Sequence, residues 1–161
     1  MAAYKSVLAF IFGIGLILGS SAGAASDTSP LLVFAEQPVQ GVGGLADLPA
    51  SIRSLLEARL PQGIAAVGAP YNATDYITDE SLPSRRLLGA GRTGALWFVW
   101  YEHGGRGYHQ HLVLLRSGGP SSAEVVASAI FLQEPRNLEA LQQLAKAGAL
   151  APGPLPEPEH W

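Results

Sequence analysis

Hydrophobic positions along this chain follow two rhythms, and the switch between them marks the elements. Residues 31–35 form an unbroken apolar run and read as a short strand. Residues 37–44 hold one proline and three glycines and read as a loop. Ile52, Leu55, Leu56 and Leu60 then recur at helical spacing. They make one apolar stripe on a helix that opens near Pro49, is favoured at its start by Asp47 and stops at Pro61. Residues 64–67 read as another short strand. Residues 70–84 are polar without a period and predict a long surface loop, a kind of segment that is often functional.

The second half changes rhythm. Residues 85–90 read as a strand, and Gly94 separates them from 95–101, whose Trp97, Phe98, Val99, Trp100 and Tyr101 give the strongest strand signal in the chain. Residues 104–107 make a turn, 108–115 the returning strand, and 117–120 a further turn. Residues 123–132 fit a strand better than a helix, because Val125, Val126, Ile130 and Phe131 follow a tight turn. Pro135 then opens a helix that carries Leu138, Leu141 and Leu144 and ends at Gly148. The sum is an α+β domain: an antiparallel meander of about four to six strands with two short helices packed on one face.

Before this domain, Lys5 is followed by an apolar run over 7–18 and by Ala22-Gly23-Ala24, a small-x-small cleavage pattern. Residues 1–24 therefore read as a cleaved secretory signal peptide, since the run is shorter than the ~20 residues a span needs. No membrane anchor is expected after cleavage, and the expected location is the periplasm or the extracellular space. The domain covers 26–149. Residues 150–161 are proline-rich and read as a disordered tail, which sets His160 aside.

Composition narrows the function classes. The chain has 161 residues, no cysteine and a formal charge of −3, and Lys5 and Lys146 are its only lysines. That is one domain, with no disulfide framework and no basic stripe for nucleic acid. A core from a chain of this length stands without disulfide staples. Three motif matches carry no chemistry. Residues 89–94 match the dinucleotide glycine pattern but run into a strand, where that motif needs a helix. Residues 19–23 match a nucleophile elbow but fall in the signal peptide. Asn72-Ala73-Thr74 matches a glycosylation sequon by chance.

One constellation remains. His103, His109 and His111 crowd into nine residues beside Glu102 near the tip of a hairpin. His109 and His111 share a face, because strand side chains alternate. An even loop would bring Glu102 to that face and an odd loop would bring His103, so either register offers two imidazoles and a third ligand. Zn²⁺, Cu²⁺ and Ni²⁺ accept such a set. Trp100, Tyr101 and Tyr108 surround the cluster, and they either pack the core or leave an open aromatic face. No catalytic residue can be placed, since no nucleophile–base pair is visible.

Two functions follow as expectations. The first is an exported, non-enzymatic binding module without a cofactor. Its hairpin tip and the 70–84 loop would engage a protein partner of the envelope or the extracellular space, as an inhibitor or immunity protein does. Trp100, Tyr101, His103, Arg106 and Tyr108 would carry the contact. The second is a periplasmic transition-metal-binding protein that uses His109, His111 and Glu102 or His103.

Overall fold

A computed structural model describes residues 29–150 and 152–153. The expected signal peptide lies outside the described residues, as does the tail apart from 150, 152 and 153. Five strands form one antiparallel sheet in the order β1-β2-β3-β4-β5: β1 (Val39–Gly41), β2 (Arg85–Thr93), β3 (Leu96–His103), β4 (His109–Gly119) and β5 (Ser122–Phe131). Three helices join them: α1 (Pro30–Glu36), α2 (Ala50–Arg59) and α3 (Leu138–Lys146). The α+β meander expected from the sequence is this fold.

The long strands alternate sides, and each side buries its own cluster. Phe98, Trp100, Leu112 and Leu114 face Phe34 of α1 and Leu141 and Ala145 of α3. Val99, Tyr101, Val113 and Leu115 face Ile52 and Leu56 of α2. The two expected helices both form, but on opposite faces of the sheet rather than on one. The sheet is apolar on both sides, so both need cover.

The run 31–35 is a helix, not a strand. A short apolar run is ambiguous by period, and here Pro30 opens a helix whose Phe34 meets Phe98 edge-on at 5.5 Å. Gln142 of α3 donates its side-chain amide to the Phe34 and Gln37 carbonyls, which satisfies the α1 C-terminus. The expected loop 37–44 contains β1, paired with 91–93 of β2. The expected strand at 64–67 reduces to one parallel bridge from Ala65 to Arg86. Asp47 accepts the Gly43 N–H at 2.9 Å instead of capping α2. In α3, Asn137 accepts the Ala140 N–H, and Gly148 at φ +69° closes the helix. Pro152 bridges Ala129, so the tail begins on the outer edge of β5.

The glycines at 89–94 serve the sheet. Gly94 takes φ +56° in the two-residue turn between β2 and β3. Gly91 lets β1 come close: a Cβ there would lie 2.2 Å from the Gln40 carbonyl oxygen.

Candidate functional site

The turn between β3 and β4 spans five residues, 104–108, with Gly105 at φ +114°. An odd loop sets the register His103↔His109, Glu102↔Gln110 and Tyr101↔His111. His103, His109 and His111 therefore stand on one face and Glu102 on the other. Of the two ligand sets the sequence left open, the structure assembles the three histidines. Glu102 leaves the set because the pleat turns it away.

The three imidazoles form a compact group. One ring nitrogen from each lies within 4.8 Å of the others. His103 Nδ1 and His109 Nε2 are 3.3 Å apart. That is about the edge of a tetrahedron with metal–nitrogen bonds of ~2.0–2.1 Å. His109 Nδ1–H donates to the Gly107 carbonyl at 2.6 Å, because a carbonyl can only accept. This fixes the tautomer and leaves the Nε2 lone pair facing His103, as an outer-shell carbonyl does for a ligating histidine.

His111 is the buried member, 5% exposed, with its ring stacked on Tyr101 at 4.7 Å and 8°. Neither of its ring nitrogens has a hydrogen-bond partner among the described residues. Burial drives its pKa down to about 3, and His109, His103 and Arg85 oppose its charge further. The ring is therefore neutral and holds a free lone pair at neutral pH.

Arg85 on β2 lies directly across from His103 and is also 5% exposed. Sequence reasoning passed over this residue. The period-2 alternation from Arg85 to Arg86 sends one arginine to each face, which was the available signal.

The opposite face holds a second polar group. The Glu102 carboxylate accepts from Arg86 Nε at 2.6 Å, and its charge acts on the Tyr71 and Tyr108 phenols beside it. Gln110 joins Trp100 Nε1–H to the Tyr108 oxygen, with both bonds at 2.8 Å. Burial and then the Glu102 charge push the Tyr71 phenol up to about 12. The Arg86 guanidinium sits 4.5 Å from the Tyr71 ring centroid, which ties the 70–84 loop to the hairpin. That loop is irregular, as expected, and it is organised by Asn72. The buried Asn72 amide donates to the Asp79 and Leu82 carbonyls, so it is a structural residue and not a glycan acceptor.

Among the residues expected to meet a partner, Trp100, Tyr101 and His103 are buried. Tyr108 is half-buried and Arg106 is exposed at the tip. The aromatic residues on both faces of β3 pack the core, because helices cover both sides. Among the described residues, no helix is long and apolar enough to cross a membrane. Compared with known proteins, the chain matches no family model, no curated protein and no solved structure.

Proposed function

We propose that this protein binds a transition-metal ion, Zn²⁺ or Cu²⁺, through His103, His109 and His111. One observation carries the reading: three imidazoles converge, and the most buried of them, His111, has no hydrogen-bond partner for either nitrogen among the described residues. Buried polar groups normally find partners, and leaving one without costs roughly 1–3 kcal/mol. Metal coordination supplies what the fold withholds. Among the described residues the ligand set is three imidazoles with no carboxylate, which suits Zn²⁺ and Cu²⁺ better than Mg²⁺ or Ca²⁺. The export signal read in residues 1–24 sets this binding in the periplasm or outside the cell.

Calorimetric titration of the purified chain with Zn²⁺ tests the reading. One ion per chain is expected, with affinity falling by at least the roughly 10–100-fold that even an outer-shell loss costs when His109 is replaced by alanine. Absence of heat, or an unchanged affinity in His109→Ala, rejects it.

A second reading keeps the hairpin tip as a docking point for an envelope protein. Exposed Arg106 supports it, together with exposed Tyr76 and Ile77 on the 70–84 loop, since exposed large apolar side chains mark interaction surfaces. Capture from envelope extract should lose its partner in Arg106→Ala. Identical recovery by both chains discards the reading.

A further inference from the structure

The last strand of the sheet, β5, has an open outer edge. Among the described residues, only Pro152 and Gly153 pair beyond it. Pro152 lies across from Ala129 in an antiparallel bridge, and the Gly153 N–H donates to the Ser128 carbonyl at 2.8 Å. Leu150, buried in the α3 cluster, anchors the approach. The two backbones come close at Gly153, where a Cβ would meet Ile130 Cγ1 at 2.9 Å. From Ser122 to Ala127, no strand lies beside the outer edge of β5 among the described residues. Unpaired N–H and C=O groups on such an edge recruit another strand.

The sequence beyond Gly153 has the pattern for that place. Prolines recur at every second residue, at 152, 154, 156 and 158. Along an extended strand, successive N–H groups point to opposite edges. Gly153 points its N–H at β5, so in one extended strand Leu155 and Glu157 do the same and each proline falls on the outward side. A proline there has no N–H to leave unpaired, and sheets accept proline on edge strands. A residue that precedes a proline is itself biased to extended backbone.

We propose that the outer edge of β5 is a docking surface for residues 154–158 of this same chain, which add a sixth strand antiparallel to β5. One side of that segment donates to β5, and its proline side offers a further chain no donors. The edge is thereby closed from within the molecule against pairing with a second copy. The bridge at Pro152 sets the register and puts Pro154 across from Ala127. Just beyond, β5 holds an extra residue, Val126, because its pairing with β4 steps from Ala127 to Val125. That bulge changes which β5 groups meet the segment and leaves the alternation along the segment unchanged. The proposal does not depend on the histidine site.

The chain has no cysteine, so an engineered pair reports proximity without competing thiols. Pro154 and Ala127 would form a non-hydrogen-bonded pair with Cα atoms about 4.5 Å apart, a separation that a disulfide spans. Under mild oxidation, Ala127→Cys with Pro154→Cys should close within one chain at least about tenfold faster than Ala127→Cys with Glu157→Cys. A chain shortened to end at Gly153 supplies the second measurement. Hydrogen exchange at the outward amides of 123–127 should be at least about tenfold faster in the shortened chain than in the full one. Equal closure rates for the two cysteine pairs overturn the proposal, and so does exchange that shortening leaves unchanged. Cross-linking between two chains in Ala127→Cys alone, faster than closure within one chain, also overturns it and gives the edge to a second copy.

Discussion

His111 is a histidine whose burial disfavours its protonated form. Its folded pKa lies at about 3, below the ordinary 6.5, because burial disfavours the imidazolium and His109, His103 and Arg85 oppose it. In the unfolded chain the same ring protonates near its ordinary value. The sign follows from linkage: below pH 6.5 the unfolded state binds a proton that the folded state refuses. Stability of the metal-free protein should therefore drop as pH falls from about 6.5 towards 3. Urea midpoints in chelator at pH 7, 5.5 and 4.5 measure this. His111→Phe keeps the stack on Tyr101 and removes both unpartnered nitrogens. That variant should lose most of the His111 share of the acid slope. A slope as steep as that of wild type would show that other groups set it.

At the scale of elements, the hairpin decides what the site contains. Parity of the 104–108 loop puts His103 with the other histidines, and Glu102 becomes the centre of a separate clamp. Glu102→Gln should therefore leave metal affinity within about threefold of wild type, since the side chain is on the wrong face to ligate. It should still destabilise the fold by about 1–3 kcal/mol, because it weakens the contact of a buried carboxylate with Arg86. Loss of metal binding in this variant would contradict the register. The glycines of β2 make a second element-level test. A Cβ at Gly91 meets the Gln40 carbonyl at 2.2 Å and Phe98 Cε1 at 2.8 Å, whereas one at Gly89 meets only Trp100 Cε3 at an ordinary 3.5 Å. Gly91→Ala should cost about 1–3 kcal/mol by displacing β1, and Gly89→Ala should cost well under that in the same thermal melts. Equal costs would mean that β1 does not need this close approach.

These elements also show how much was legible beforehand. The strand 95–101 could be read because aromatic and β-branched residues concentrate there, and 85–90 and 108–115 because glycine turns set them off on either side of it. The helix at 31–35 could not, since five apolar residues look alike in a strand and in a buried helix until Phe98 and α3 supply the context. The strand β1 was hidden because its pairing depends on Gly91, about fifty residues away. The histidines were visible as a cluster, but their third member hung on one loop residue, which pattern alone does not count. Arg85 needed the cross-strand register before its neighbour could be named.

Across the whole molecule, the histidine site sits where β3 and β4 meet beyond the α2 core, on the same face as Val99, Tyr101 and Val113. The loop 70–84 presses on this end of the hairpin. A Cβ at Gly104 would stand 2.3 Å from the Asn72 carbonyl oxygen, and the Gly104 N–H donates to Ser84. An ion held by His103, His109 and His111 would therefore tie β3 to β4 at the end where the ladder opens into a loop. A ligand that binds only the folded state adds stability of RT ln(1 + [L]/Kd), about 2.7 kcal/mol at a hundredfold excess over Kd. For a domain of this size that is a rise of roughly 5–10 °C in Tm. Zn²⁺ should produce that rise, chelator should reverse it, and His109→Ala should melt at one temperature with or without the ion. Hydrogen exchange should then locate the gain, with the amides of 101–111 slowed more than those near the turn between β4 and β5. Uniform slowing across the sheet would place the bound ion's effect in global unfolding alone, and would separate the hairpin end from any local opening of its own.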